Sequence, residues 1–254
     1  MTYCLAISTA HGLVFASDSR TNAGLDDISV HGKMHSFIWE GDRFLTLLSA
    51  GSLATTQAVI KRLREDAAGT GHSLLSMPSM AAVADYVGGL STEIQRHHGE
   101  RDTACTNFES TFILGGQIGT AAPALYLIYP QGNYIHSSSA QPFFQIGEFK
   151  YGKPILDRVI GENTTLENAA RCALVSIDST MRSNLTVGPP IELYLYPRNT
   201  LTKGRYLQLD QDDDFWRELS NSWSIGLNRA LGELPPFSWE QADQPPSIRS
   251  ISQS

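Results

Sequence analysis

The 254-residue chain is poor in cysteine, in basic charge and in long apolar runs. Its three cysteines, Cys4, Cys105 and Cys172, show no paired spacing. That argues against a disulfide framework and for a reducing compartment, with all three thiols expected as small buried hydrophobes. No stretch approaches the roughly 18 apolar residues of a membrane-spanning helix. Lys and Arg total 19 against 26 Asp and Glu, a formal charge of -7. Nucleic acid and anionic membrane are therefore poor partners, since both call for a basic face. The N-terminus lacks a basic segment followed by an apolar one, so no secretory signal is read and a cytoplasmic location is expected. There is no Gly-x-Ser-x-Gly elbow, and Gly115-Gly116 lacks the Gly-Lys-Ser/Thr ending of a phosphate loop. The histidines, His97-His98 among them, lack metal-ligand spacing and read as solvated surface groups. Neither metal nor cofactor is expected.

What is present is a globular composition, 41% hydrophobic and 18% charged. Thr2–Ser8 and Gly12–Ser17 read as strands around His11-Gly12. Lys33–Trp39 and Phe44–Ser49 form a second such pair around Glu40-Gly41-Asp42. The apolar period then lengthens, predicting a helix from Leu53 to about Ala67. A second helix is predicted from a Ser79 cap towards His97, although Gly88-Gly89 inside it weakens helix formation. Strands return at Ser110–Gly115, Ala124–Tyr129, Tyr134–Ser137 and Phe143–Ile146. Thr165 caps a long helix to about Met181, and strands Ile191–Tyr196 and Arg205–Leu209 follow. A last helix spans Asp213–Leu231. Short turns make antiparallel sheets, and helices in blocks argue against a doubly wound parallel fold. Two sheets packed face to face, with helix layers outside, account for the pattern. The folded domain is expected over 1–234, with 235–254 a polar, proline-rich tail.

The chemistry concentrates at the front. Removing Met1 leaves Thr2 as the N-terminus, which carries a nucleophilic hydroxyl and a basic α-amine in one residue. In a hairpin the end of the second strand returns beside the start of the first, which places Asp18 next to Thr2. Lys33 opens the following strand and reaches the same end of the sheet. Asp18 would pair with Lys33, and the ammonium would disfavour protonation of the neighbouring amine. The small residues Ser49-Ala50-Gly51-Ser52 join a strand to a helix. Such a turn can aim the Gly51 N–H at a developing oxyanion.

Together, Thr2, Ser17-Asp18-Ser19-Arg20, Lys33 and Ser49-Ala50-Gly51 resemble the proteasome β-subunit family of N-terminal-nucleophile hydrolases. The segments Leu13–Gly24, Leu53–Gln57, Leu114–Gln117, Gln145–Glu148, Tyr151–Pro154 and Arg182–Leu185 narrow the resemblance to its bacterial ancestral-β-subunit branch. It runs from Thr2 to about Tyr196. It implies an α+β fold of four layers, αββα, a threonine peptidase mechanism acting on peptide or unfolded protein, and self-assembly into a homo-oligomeric ring or ring-like array. The family's nucleophile falls on Thr2, its aspartate on Asp18, its lysine on Lys33 and its oxyanion glycine on Gly51. The later aspartate and serine fall on Ser183 and Thr186. Arg20, Thr21 and Leu53 correspond to substrate-pocket positions. One departure stands out: where the family places a serine near the terminal amine, this chain has Glu148 after Gly147. Two other readings stay open beside the peptidase. One is an amidase for small molecules on the same fold; the other is an assembly or binding protein with a weak site.

Overall fold

The structure is a computed structural model that describes residues 2–22, 28–69, 71–102 and 105–242, without the side chains of residues 21, 22, 28, 29, 241 and 242. The first hairpin joins β1 (Tyr3–Thr9) to β2 (Gly12–Asp18). β3 (Arg20–Asn22) and β4 (Ile28–Val30) pair as a separate ribbon. The second hairpin joins β5 (Met34–Trp39) to β6 (Arg43–Gly51). Helices α1 (Leu53–Ala68) and α2 (Met80–Arg101) follow. Then come β7 (Ser110–Ile118), β8 (Ala124–Ile128), β9 (Tyr134–His136) and β10 (Phe143–Gly147). The chain continues through α3 (Lys153–Val159), α4 (Leu166–Ser183), β11 (Ile191–Pro197), β12 (Arg205–Leu209), α5 (Asp214–Gly232) and α6 (Ser238–Ala242).

Two five-stranded antiparallel sheets result, ordered β10-β1-β2-β11-β12 and β5-β6-β7-β8-β9. Three separate apolar cores glue four layers together. Between the sheets lie Phe15, Phe44, Tyr194 and Tyr196, with the Phe44 and Tyr196 rings stacked at 4.0 Å. Outside the first sheet, Leu5, Ile7 and Val14 meet Ala169, Ala173 and Ile177 of α4. Outside the second, Leu45, Leu47 and Phe112 meet Val59, Leu63, Val83 and Val87 of α1 and α2. A strand of the first sheet is thus covered on both faces, which is why β1 reads as an unbroken apolar run rather than an alternating one. Burial of each large aliphatic side chain stabilises this arrangement by about 1.5–3 kcal/mol.

Helix starts follow side-chain capping. Ser52, Ser79, Thr165 and Asp213 each accept the N–H of the third residue on, satisfying a donor the helix itself leaves free. α2 runs unbroken through Gly88-Gly89, where the helix backbone rests directly against the Gly132 carbonyl. Cys4 and Cys172 are buried as expected, whereas Cys105 is exposed, so the expectation for that thiol is corrected. Among the described residues no helix is long and apolar enough to cross a membrane. The expected tail holds α6, and 243–254 lie outside the described residues.

Candidate active site

Four strand ends meet at one edge of the sandwich. The β1–β2 register sets Cys4 opposite Ser17, so Asp18 lies beside the Thr2–Tyr3 step. Asp18 is fully buried, and its Oδ1 accepts the Tyr3 N–H at 2.9 Å. Lys33 precedes β5 and is also buried. Its Nζ donates to Asp18 Oδ1 at 2.7 Å and to the Arg20 carbonyl at 2.7 Å. The other carboxylate oxygen accepts the Gly188 N–H at 3.3 Å. Burial pushes the Asp18 carboxyl up from its usual range, while the Lys33 charge and the Lys33, Tyr3 and Gly188 hydrogen bonds pull it back. The Lys33 ammonium is thereby held against a fixed anion just beneath the Thr2 backbone.

Thr2 is half-buried and lines a cleft of about 430 Å³ together with Lys33, Ser49, Gly51 and Leu53. Its carbonyl accepts the Glu148 N–H at 2.7 Å, continuing the pairing of Tyr3 with Gly147. Gly147 has φ +83, and a side chain there would strike the Thr2 carbonyl, so this contact needs glycine. Gly51 ends β6 with φ +111 and backs onto the Glu109 carbonyl, which leaves no room for a Cβ. The turn into α1 therefore has the backbone shape that a small residue permits, at the mouth of the cleft.

The second half of the chain supplies a polar relay. The Glu148 carboxylate accepts from Asn184 Nδ2 at 3.2 Å. Asn184 Oδ1 accepts the Thr186 hydroxyl at 2.6 Å and the Thr186 N–H at 3.0 Å. Thr186 is thus brought to Glu148 through Asn184. Ser183 is exposed on the last turn of α4, and the adjacent cap residue Asn184 makes the link instead. Arg20 lies outside the cleft: its guanidinium covers Gly188 and donates to the Leu185 carbonyl at 2.7 Å. The Thr21 side chain lies outside the described residues, and so does Met1.

Two groups escaped the sequence reading. Asn184 has no signal in a single sequence, because only the fold sets it against Glu148. His35 is no solvated surface histidine: it lines the cleft, and burial together with the Arg64 charge lowers its pKa to about 4. Its place two residues after Lys33 was the available clue, since alternate residues of an extended chain point the same way.

The site is built on a buried Asp–Lys pair below Thr2, and the chain as a whole has known relatives. The family described as Proteasome subunit matches residues 2–195. The chain belongs to the proteasome subunit family. No curated protein gives a significant match. Among solved structures, Anbu (ancestral beta-subunit) from Yersinia bercovieri is 40% identical with a TM-score of 0.89, covering 93% of this chain and 100% of that one. The helical assembly of the Anbu complex from Pseudomonas aeruginosa is 45% identical with a TM-score of 0.90, covering 94% and 99%. Anbu from Hyphomicrobium sp. strain MC1 is 42% identical with a TM-score of 0.84, covering 93% and 100%. For a proteasome-family chain the four-layer sandwich and the ancestral-β-subunit resemblance agree with the motifs that suggested them.

Proposed function

We propose that this chain is a threonine-type hydrolase of peptide bonds, with Thr2 as nucleophile once Met1 has been removed. The observation that carries the reading is the buried Asp18–Lys33 pair, 2.7 Å apart, whose carboxylate also holds the Tyr3 N–H. The free Thr2 α-amine, with an ordinary pKa of about 7.7–8.0, takes the proton from the Thr2 hydroxyl. The Lys33 ammonium keeps that amine unprotonated beforehand by like-charge repulsion and stabilises the alkoxide as it forms. The oxygen adds to the peptide carbonyl, and the Gly51 N–H receives the oxyanion. The amine returns its proton to the leaving nitrogen, and the C–N bond breaks to leave an ester on Thr2. Water, deprotonated by the same amine, then hydrolyses that ester. Glu148, whose N–H binds the Thr2 carbonyl and whose carboxylate is held by Asn184, is assigned to orienting this end of the chain.

The reading includes a cytoplasmic location and self-association of this chain, the latter supported by the helical assembly named for the Pseudomonas aeruginosa relative. The test is hydrolysis of a peptide library by the mature protein, beside Thr2→Ala and Thr2→Ser. Wild type and T2S should cleave internal peptide bonds and T2A should not. Full activity in T2A overturns the mechanism, and turnover of small amides without any peptide turns the reading into the amidase.

A further inference from the structure

One cleft of this acidic molecule is lined by more cations than carboxylates. The net charge is -7, yet the cavity beside Thr2 is lined by Lys33, Lys61, Arg64 and two histidines, with Glu65 its single carboxylate. Two of these cations are already committed. Lys33 is bound to Asp18 at 2.7 Å, and Lys61 stands 3.8 Å from Glu65. Arg64 forms no ion pair among the described residues, and it lines the same cleft as His35. Helix α1 lines the cleft with Leu53 and Ile60, beside the polar Thr56 and Gln57. His35 lies two residues beyond Lys33 on β5, about 7 Å along the strand. That is the reach of a glutamate side chain plus one hydrogen bond.

We infer that the cleft selects peptides with an acidic side chain on the acyl side of the scissile bond, the methylenes lying on Leu53 and Ile60 and the carboxylate seated between His35 and Arg64. A carboxylate there receives the guanidinium N–H groups, which form a planar fork suited to it. It also receives the imidazole N–H. A lysine-bearing peptide in the same place meets an unpaired arginine and is repelled. The cleft walls focus that charge more than open solvent would. This inference rests on the proposed peptidase reading but concerns recognition, so the two can fail separately.

The experiment uses acetylated peptide amides identical except for Glu, Gln or Lys at one position. Binding is measured by calorimetry on the uncleavable Thr2→Ala protein, and turnover of fluorogenic counterparts on wild type. The Glu peptide should bind about threefold to fivefold more tightly than its Gln isostere, with Lys weakest. Arg64→Glu should erase or invert that ratio. Arg62→Glu makes the same charge change on the same helix outside the cleft, and should leave the ratio alone. Equal binding of Glu and Gln, equal effects of R64E and R62E, or no binding by any peptide overturns the inference. Acid-selective binding without turnover keeps it and removes the peptidase. Turnover without acid preference does the reverse.

Discussion

The two ends of the β1–β2 hairpin invite comparison. Each carries a threonine and opens onto a cavity of nearly equal size, about 430 Å³ beside Thr2 and about 420 Å³ beside Thr9. At the far end the Thr9 hydroxyl serves the turn: it accepts the His11 N–H at 3.2 Å. The charged residues on that rim, Glu162 and Arg198, are exposed and unpaired among the described residues. At the near end a fully buried carboxylate takes donors from Lys33, Tyr3 and Gly188 within 3.3 Å. Volume does not separate the two ends. What separates them is a charge pair taken out of water and held by several hydrogen bonds, which holds its field in place without solvent reorganisation.

The comparison breaks most sharply at the threonines. Thr2→Ala should lower peptide hydrolysis by roughly 10³-fold or more, as loss of a nucleophile does, while Thr9→Ala should leave kcat/KM within about twofold. Steady-state kinetics on both variants decide it. Stability comes next. Lys33→Ala strands a buried carboxylate and should cost about 3–5 kcal/mol in denaturant unfolding. Arg198→Ala, at the other end, should stay within about 0.5 kcal/mol. Replacing both partners, Asp18→Asn with Lys33→Met, should cost less than K33A alone, because no bare charge remains inside.

Much of this was readable beforehand, and what was not shares one cause. β1, β2, β5 and β6 follow from short apolar runs broken by His11-Gly12 and Glu40-Gly41-Asp42, which are local signals. Asp18 beside Thr2 follows from hairpin geometry alone, and β12 spans Arg205–Leu209 as read. α3, seven residues beginning at Lys153-Pro154, is too short to show a period and was missed. So were β3 and β4, whose three residues each give alternation nothing to work on. Arg20, assigned to the pocket by resemblance, folds back over Gly188 because the β2–β11 pairing brings that loop underneath. Asn184, His35 and the direction of Arg20 are tertiary facts, set by partners more than 25 residues away or on another layer, and no window of sequence contains them.

Smaller effects sharpen the picture of the near end. Asn184→Ala removes a donor to the Glu148 carboxylate and should lower kcat about tenfold with KM little changed, the size of one hydrogen bond to a charged group. His35 gives a pH signature. Its pKa is lowered to about 4 in the folded protein against 6.5 in the unfolded chain. The unfolded state therefore binds the proton first as pH falls, so the stability this neutral imidazole confers is present above about 6.5 and is lost as pH drops towards 4. The imidazole resonances of His35 should titrate near 4, and His35→Gln should flatten that part of the stability profile.

The account turns on a free threonine beside a buried ion pair, and one mass measurement tests it most directly. Intact protein treated with a peptide epoxyketone, which closes a ring only with a free terminal amine and its neighbouring hydroxyl, should show the chain without Met1 and with one adduct. Fragment masses should place that adduct on Thr2, and Lys33→Ala should slow its formation. Retention of Met1, no adduct on the mature protein, or an adduct on any other residue would contradict it.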